Sequence, residues 1–355
     1  MSLSKPWLAH YPSDVPPTLA PCAADALSMF RAAVSARPDG DALRYFDRCV
    51  SYAELDRLSD SLAVALAGRG FRRGDRLALY LQNQPAFPIA TLAAWKLGGI
   101  VVTINPMNRE FELAKLLDDA QPKALICLEG LRDEILPRLP AGTHRPTILL
   151  ASGERDWQER DDPRLFGKLP SRSAGVQSDV LRAIAENAGA APPVHTPQAA
   201  DLAFIVYTSG TTGLPKGACI SHDNLVRLAA AHQRWYALPP GTPLLCAAPL
   251  FHITGLAGHM NLAWGLAGPL VLCYRFDPGV VLDAIAEHKP RFSACAITAY
   301  IALMNQPNVD PAKLSSLETA ASGGAPVPPS VAVQVEQKLG WRILNGYGLT
   351  ETTAG

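Results

Sequence analysis

The segment that decides the fold runs from Tyr207 to Ala218 and reads Tyr-Thr-Ser-Gly-Thr-Thr-Gly-Leu-Pro-Lys-Gly-Ala. An apolar run over residues 202–206 precedes it and predicts a buried strand, and residues 218–220 predict a second short strand. Between the two strands lie hydroxyl side chains, glycines and one cation: Thr208, Ser209, Gly210, Thr211, Thr212, Gly213, Lys216 and Gly217. Backbone N–H groups and hydroxyls of such a loop can converge on phosphate oxygens. The segment therefore predicts an anion-binding loop.

Two other interpretations of this loop fit less well. A Walker A loop requires Gly-Lys-Ser/Thr at its end, whereas here Lys216 precedes the last glycine and Ala218 follows it. Clusters of Gly, Ser and Thr between strands are usually plain turns. The length and order of this cluster favour phosphate binding over a plain turn.

Predicted strands and helices alternate on both sides of the loop. Strands are predicted over residues 42–46, 76–81, 100–104, 124–128 and 147–150, and again over 244–248, 270–274, 292–297, 317–321 and 342–344. Ser51 to Glu54 forms a capping-box pattern, and Asn108 and Ser221 are expected to cap further helices. This alternation predicts an α/β fold in which mainly parallel sheets are layered with helices.

Three segments are expected along the chain. Residues 1–40 are predicted to form an N-terminal arm, and residues 41–200 a first βα lobe. Within that lobe, residues 151–200 are polar and irregular, which favours a surface connection. Residues 201–355 are predicted to form a second βα lobe that carries the phosphate loop.

Composition excludes several classes of protein. The 355 residues are 48% hydrophobic and 18% charged, which is typical of a globular chain rather than a disordered one. A formal net charge of zero argues against a nucleic-acid partner or an anionic membrane surface. The seven cysteines contain no Cys-x-x-Cys pair, so a disulfide framework is not expected. We expect a reducing, cytoplasmic location instead. No secretion signal or integral membrane span is predicted.

Residues 207–218 closely resemble the phosphate-binding loop of the adenylate-forming superfamily, which includes acyl-CoA synthetases, adenylation domains of peptide synthetases and beetle luciferases. Four further strings resemble that superfamily at the exits of predicted strands: Ser-His-Asp-Asn at 221–224, Pro-Leu-Phe-His-Ile-Thr-Gly at 249–255, Ala-Ala-Ser-Gly-Gly-Ala-Pro at 320–326 and Asn-Gly-Tyr-Gly-Leu-Thr-Glu-Thr at 345–352. For the first of them, simple helix capping is the favoured interpretation. The resemblance extends from about Asp41 to Gly355. It implies two lobes layered αβαβα, truncated before the barrel and the mobile C-terminal domain of the family.

The resemblance also implies an ATP site with Mg²⁺. Its phosphate-binding residues are Thr208, Ser209, Gly210, Thr211, Thr212, Gly213 and Lys216, and its adenine-binding residues are Gly324, Ala325, Pro326, Asn345, Gly346, Tyr347 and Gly348. Thr350 is expected to face the α-phosphate. Glu351 is expected to hold Mg²⁺, which typically uses one or two carboxylates plus substrate phosphates. Lys216, Thr350 and Glu351 are therefore the candidate catalytic residues, and the loop and the turn are expected to share one cleft.

The string at 249–255 resembles the wall of the acyl pocket in acyl- and aryl-CoA ligases. The resemblance implies that His252, Gly255, Ser322 and Gly323 border this pocket. In amino-acid-activating relatives an aspartate follows the phenylalanine and holds the substrate ammonium group, whereas His252 stands here. An amino-acid substrate is therefore disfavoured. A packed core histidine at 252 and a plain Gly-Pro turn at 323–326 remain the alternatives.

The implied reaction is ATP-dependent activation of a fatty or aryl carboxylic acid to an acyl-adenylate, followed by thioester formation with CoA. The family's ribose-binding aspartate, hinge arginine and catalytic lysine cannot be mapped onto these 355 residues. We therefore expect a fragment that is poorly active alone and whose partner is the missing C-terminal domain. An adenylation module that loads a carrier protein and a non-catalytic nucleotide-binding protein are the alternatives. The sequence leaves open which acid is used and whether the chain forms a homo-oligomer.

Overall fold

The computed structural model describes residues 5–11, 13, 15–169, 177–208 and 215–354. Its strands form two sheets. One contains, in spatial order, β13 (Ile343–Asn345), β12 (Thr319–Ser322), β11 (Phe292–Cys295), β9 (Leu244–Cys246), β10 (Leu270–Leu272), β1 (Asp41–Tyr45) and β2 (Arg48–Ser51). The other contains β6 (Ile148–Ser152), β5 (Ala124–Leu128), β3 (Arg76–Tyr80), β4 (Ile100–Thr103), β7 (Leu202–Tyr207) and β8 (Gly217–Ser221).

Neighbouring strands run parallel in both sheets, except for the antiparallel pairs β1–β2 and β7–β8. The α-helices are α1 (Ala26–Ala36), α2 (Tyr52–Gly68), α3 (Ala86–Lys96), α4 (Glu110–Ala120), α5 (Glu129–Glu134), α6 (Pro163–Phe166), α7 (Asp179–Glu186), α8 (His222–Trp235), α9 (Ile253–Gly255), α10 (Leu262–Leu266), α11 (Pro278–His288), α12 (Ile297–Met304), α13 (Pro311–Leu314) and α14 (Pro329–Leu339). A π-helical segment, Leu256–Asn261, joins α9 to α10. The predicted fold class is confirmed.

The two sheets do not divide the chain at residue 200, where the sequence analysis placed the boundary between the lobes. Strand β1 pairs with β10, with Leu43 opposite Leu270, and so belongs to the sheet that contains residues 244–345. Strand β7 pairs with β4, with Phe204 opposite Val101, and completes the sheet that begins at residue 76. The sheet to which β1 and β7 belong is decided by pairing with strands far away in the chain, which local sequence patterns do not predict.

Large aromatic side chains fill the core between the helices and the sheets. Helix α3 is buried along its whole length. Its Trp95 ring lies 5.2 Å from the ring of Phe204 on β7 and 5.7 Å from that of Trp264 on α10. The Trp95 indole N–H donates to the Ala203 carbonyl at 3.1 Å, which satisfies its polar atom inside the core. One aromatic residue thus joins elements from distant parts of the chain.

Two segments are more ordered than predicted. The N-terminal arm contains α1, which is capped by Asp25 and buries Leu27 and Phe30. The supposedly irregular stretch 151–200 contains α7, which buries Val180 and Ile184 and packs against α2. Both helices are short amphipathic segments, and contact with the larger core stabilises them more than their intrinsic helix propensity does.

Helix capping agrees with the sequence at two of three positions. The Ser51 hydroxyl accepts from the Glu54 N–H at 3.1 Å, and Ser221 forms a capping box with Asn224 at the start of α8. Asn108 does not cap α4, which begins at Glu110; the Asn108 carbonyl instead accepts a hydrogen bond from the Tyr80 hydroxyl. A tertiary contact has replaced the predicted local one.

Across the described ranges, every helix is too short or too polar to span a bilayer.

Candidate functional site

A cleft of about 1170 Å³ opens at the carboxyl ends of strands from both sheets. Its lining includes the last residues of five strands: Thr103 of β4, Tyr207 of β7, Cys295 of β11, Ser322 of β12 and Asn345 of β13. In parallel α/β sheets, ligands bind beyond these ends, because the loops that leave the strands surround an open crevice there. The topology therefore places the site where the sequence motifs leave their strands.

The base of the predicted phosphate loop forms part of the cleft wall. The Thr208 N–H donates to the Lys216 carbonyl at 3.0 Å and closes the loop, and Thr208 and Pro215 line the cleft. Lys216 is exposed and lies beside this lining rather than in it. The predicted phosphate-binding residues Ser209, Gly210, Thr211, Thr212 and Gly213 lie outside the described residues.

Tyr207 connects the loop to the neighbouring helix α4. Its hydroxyl donates to the Asp119 carboxylate at 2.5 Å, and the ring lies on the cleft wall. Desolvation, followed by this hydrogen bond, raises the pKa of the Tyr207 phenol, so the side chain stays neutral. The Tyr207–Asp119 contact holds the strand exit in place at the point where the loop begins.

The predicted adenine-binding turn lies across the same cleft. The Gly346 N–H donates to the Ser322 carbonyl at 2.7 Å, which joins the turn after β13 to the end of β12. Gly324, Asn345, Gly346, Tyr347 and Gly348 all line the cleft, whereas Ala325 and Pro326 are exposed outside its lining. The Tyr347 side chain is 85% exposed, so a flat ring face is free to receive a planar ligand. The expected juxtaposition of loop and turn is present for the described residues.

Thr350 and Glu351 begin a short 3₁₀-helical turn, Thr350–Thr352, that packs beside β8. Both residues line the cleft. The Glu351 carboxylate is exposed and forms no ion pair with any described residue. In the same described ranges, no group of three or more His, Cys, Asp or Glu residues forms a ready-made metal cluster. A cation here would therefore need oxygen ligands from a bound substrate as well.

His252 occupies the other wall of the cleft. It precedes α9, and its Nδ1 accepts from the Thr254 N–H at 3.3 Å. Desolvation by the cleft walls lowers the pKa of His252, which keeps the imidazole neutral at pH 7. The side chain is exposed within the cleft, so the core-histidine alternative does not describe it. Gly323 and the buried Ser322 also line the cleft.

Gly255 does not line the cleft, although the sequence analysis placed it in the acyl pocket. A Cβ atom at this position would lie 2.2 Å from the Pro249 carbonyl oxygen and 2.8 Å from the Ala248 carbonyl oxygen. The glycine is therefore required because α9 packs directly on the preceding backbone. Its contribution to the site is indirect, since it lets His252 and Thr254 approach the cleft.

Sequence reasoning missed the contribution of α8 to the cleft. Leu228, Ala231, His232 and Trp235 line it, at the i, i+3, i+4 and i+7 spacing of one helix face. That spacing was visible in the sequence, but nothing local showed which face turns towards the site. The N-terminal residues 15–19 also line the cleft, and no motif marked them.

The chain is similar in sequence to several known proteins. A family model described as AMP-binding enzyme matches residues 30–355. A long-chain-fatty-acid–CoA ligase of Bacillus subtilis strain 168 is 30% identical, with 99% of this chain and 64% of that protein covered. For 4-coumarate–CoA ligase-like 2 of Arabidopsis thaliana the identity is 30%, with 86% of this chain and 52% of that protein covered. The chain thus spans between half and two thirds of the length of these curated relatives.

Solved structures show the same similarity. ATP-bound MatB from Rhodopseudomonas palustris superimposes with a TM-score of 0.77 at 26% identity, with 93% of this chain and 61% of that chain covered. An anthranilate CoA ligase in complex with anthranoyl-AMP gives a TM-score of 0.78 at 22% identity, with 96% of this chain and 62% of that chain covered. Because the identity is this low, the match supports the fold alone.

Proposed function

Because the chain belongs to the AMP-binding enzyme family, we propose that it provides the nucleotide- and acyl-binding part of a ligase that activates a carboxylic acid with ATP and transfers the acyl group to CoA. The observation that carries this proposal is the single cleft. The exit of β7, the turn after β13 and His252 all line it, so a nucleotide and an acid would meet in one place.

The chemistry requires an activated acyl group, because a free carboxylate is a poor electrophile. Attack of a carboxylate oxygen on the α-phosphorus of ATP forms an acyl-adenylate and releases pyrophosphate. The thiol of CoA then attacks the acyl carbon, forms the thioester and displaces AMP. The first step needs little covalent chemistry from the protein, and its catalysis consists mainly of positioning and charge neutralisation.

In this proposal, residues on two sides of the cleft contact different parts of the nucleotide. Thr208 and Lys216, with the loop at 209–213, contact the β- and γ-phosphates, and Thr350 donates to the α-phosphate. Tyr347 stacks on adenine, and Asn345 hydrogen-bonds its edge. The exposure of the Tyr347 ring and the position of Thr208 at the mouth of the loop support these roles.

Mg²⁺ fits this site through Glu351. Its carboxylate is exposed, lies at the cleft and has no competing ion pair with a described residue. One carboxylate plus substrate phosphates is a typical Mg²⁺ environment. When bound, the ion would neutralise negative charge on the phosphates. The chain itself would contribute the carboxylate and hold it in the first turn of the 3₁₀ helix.

CoA is the proposed thiol acceptor, because the relatives at 30% identity carry the name CoA ligase. The neutral imidazole of His252 would not hold an ammonium group, which favours a fatty or aryl acid over an amino acid. Thioester formation by the protein, measured with CoA and separately with a carrier protein, distinguishes CoA ligation from carrier-protein loading.

Calorimetry on the 355-residue chain tests the binding half of the proposal. We expect ATP to bind, and octanoyl or benzoyl 5′-O-sulfamoyladenosine, which mimics an acyl-adenylate, to bind more tightly. Binding of ATP with no gain from the acyl group would indicate a non-catalytic nucleotide-binding protein. Absence of binding by ATP and by both analogues would contradict the proposal altogether.

A further inference from the structure

The loop between β9 and α9, residues 247–252, ends in the part of the cleft wall that contains Phe251 and His252. The loop has no strand or helix of its own, yet Ala248 is only 6% exposed and Leu250 is 0% exposed. Backbone N–H and C=O groups that are shielded from water need hydrogen-bond partners. Within the loop, the His252 N–H donates to the Pro249 carbonyl at 3.1 Å. Further partners come from the other sheet.

Asn83 provides three of these hydrogen bonds. It follows β3, is 4% exposed and lies outside the cleft lining. Its Nδ2 donates to the Ala248 carbonyl at 2.9 Å and to the Cys246 carbonyl at 3.3 Å, and its Oδ1 accepts from the Leu250 N–H at 2.7 Å. A side-chain amide carries two donors and an acceptor, so it can pair with both kinds of backbone group. Asn83 is held in turn by its own N–H, which donates to the Tyr274 carbonyl at 2.7 Å.

Thr103 provides a fourth hydrogen bond from the neighbouring strand. It is the last residue of β4, and its hydroxyl donates to the Phe251 carbonyl at 2.9 Å. In the pairing of β4 with β7, Thr103 lies opposite Val206, one residue before Tyr207 ends β7. The wall that contains Phe251 and His252 is therefore tied to the strand ends from which the phosphate loop leaves.

These tethers join two binding regions that the proposed reaction must bring together. In that reaction the acid lies against the Phe251–His252 wall, and the phosphates of ATP lie against the loop after β7. Attack on the α-phosphorus requires the reacting atoms to lie about 3–3.5 Å apart, and a shift of about 1 Å can cost about 100-fold in rate. The wall follows a strand of one sheet and the phosphate loop a strand of the other. Contacts that cross between the sheets therefore set their separation.

We propose that Asn83 and Thr103 are positioning residues that hold the Phe251–His252 wall at a fixed distance from the phosphate loop. The inference rests on the proposed function, because it assigns further residues to the same reaction. Both side chains act through the backbone of the loop at 247–252. Loosening that loop should weaken the binding of a ligand that spans both regions and leave the binding of the nucleotide alone unchanged.

Calorimetry on the 355-residue chain measures the acyl gain, which is the Kd of 5′-O-sulfamoyladenosine divided by the Kd of its octanoyl or benzoyl derivative. We expect this gain to fall by about 10-fold in Asn83→Ala, which removes three hydrogen bonds, and by about 3-fold in Thr103→Val, which removes one. Thr103→Ser keeps a hydroxyl and should retain most of the gain. The affinity for ATP should stay the same in all three variants.

Two control variants separate positioning from a general loss of stability. Thr91→Val is matched to Thr103→Val, because the buried Thr91 hydroxyl donates to the Phe87 carbonyl at the same 2.9 Å but lies outside the cleft lining. Lys96→Met removes the hydrogen bonds of a buried side chain that is also outside the lining. Both controls should leave the acyl gain unchanged.

An acyl gain in Asn83→Ala and Thr103→Val equal to that of the unaltered chain overturns this inference and leaves the proposed function standing. The inference also fails if Lys96→Met lowers the gain as much as Asn83→Ala does, or if Thr103→Ser lowers it as much as Thr103→Val does. If Asn83→Ala does not fold, the comparison of the two Thr103 variants decides. An unaltered chain that binds no probe, or gains nothing from the acyl group, contradicts the proposed function itself, so the two failures are distinguishable.

Discussion

Nε2 of His259 accepts a hydrogen bond from the backbone N–H of Ala294 at 2.9 Å. Because a backbone amide can only donate, the imidazole proton must lie on Nδ1, where it donates to the Thr254 carbonyl at 2.9 Å. The π-helical segment is thereby joined to β11 at the edge of the cleft. A second proton on this ring would remove the acceptor for Ala294, so the join depends on a neutral histidine.

We therefore expect the chain to lose stability in mild acid. Burial lowers the pKa of His259 to about 4 from an ordinary value of 6.5. The unfolded chain then binds more protons than the folded chain between these values, so stability is full above pH 6.5 and falls as the pH drops towards 4. At about 1.4 kcal/mol per pKa unit, this histidine contributes roughly 3 kcal/mol to the loss. His222 and His232 act in the same direction.

Urea unfolding at pH 7 and pH 4.5 measures this effect. His259→Gln should reduce the difference between the two pH values, and substitution of the exposed His10 by Gln should not. A pH dependence that is identical in His259→Gln and the unaltered chain would show that the buried imidazole is not its source.

Gly255 and Gly258 form a matched pair for testing backbone packing next to the cleft. A Cβ at Gly255 would lie 2.2 Å from the Pro249 carbonyl oxygen, whereas a Cβ at Gly258 would have no atom within 4 Å. Gly255→Ala should destabilise the chain by at least about 2 kcal/mol, because backbone cannot move aside cheaply. Gly258→Ala should be neutral or stabilising by up to about 1 kcal/mol, because it replaces a helical glycine.

Thermal unfolding of the two alanine variants gives the comparison directly. Gly258 lines the cleft, so its variant should also show altered affinity for acyl sulfamoyladenosines of different tail width. Equal stability of Gly255→Ala and Gly258→Ala would contradict the packing described for α9.

Lys96 is a buried cation that holds α3 against α2. Its ammonium group lies 2.6 Å from both the Asp56 and Asp60 carboxylates and 2.9 Å from the Ser59 hydroxyl, and the residue is only 2% exposed. Lys96→Met should lower the free energy of unfolding by about 3 kcal/mol. This value is at the lower end of the range for breaking a buried ion pair, because both aspartates remain partly hydrated. The exposed helical Lys338→Met is the control and should change the free energy of unfolding by less than about 0.5 kcal/mol. Indistinguishable denaturant midpoints for the two variants would disprove the structural role of Lys96.

Tyr347 is expected to contribute to nucleotide affinity without contributing to stability. Its ring is 85% exposed and lines the cleft, so Tyr347→Ala removes a stacking surface and leaves no cavity in the core. Stacking of a base on an aromatic ring is worth about 1–3 kcal/mol, which predicts a loss of ATP affinity of about 10-fold in calorimetry. Phe111, which is 66% exposed but outside the cleft, provides the control Phe111→Ala. Unchanged ATP binding by Tyr347→Ala would remove this residue from the proposed adenine site.

Glu351 is expected to make ATP binding depend on Mg²⁺. Glu351→Gln keeps the size of the side chain but replaces a carboxylate with a weaker cation ligand, so the gain in ATP affinity on adding Mg²⁺ should shrink. Affinity for AMP measured without Mg²⁺ should stay the same, since the proposed adenine contacts are intact. The exposed Glu336→Gln on α14 serves as the control. An undiminished Mg²⁺ effect in Glu351→Gln would exclude this carboxylate as the metal ligand.

Local patterns predicted those parts of the site that depend on short stretches of chain. The strands on either side of the phosphate loop, the cap at Ser221 and the turn at 345–351 all lie near their predicted positions. These features follow from apolar periodicity and from turn and cap chemistry, which act within a few residues. Periodicity could also have suggested the α8 face that contains His232, but only the packing of α8 shows that this face borders the cleft.

The sequence by itself determined the α/β class, the strand exits that carry the motifs and the residue types able to hold phosphates. Only the tertiary structure decided that β1 and β7 exchange sheets, that Gly255 packs on Pro249 instead of lining the cleft, and that one face of α8 borders the cleft. The physical reason is the separation along the chain over which each kind of interaction acts. Propensities and caps act between near neighbours, whereas strand order and the lining of a cleft depend on contacts between residues far apart in the chain.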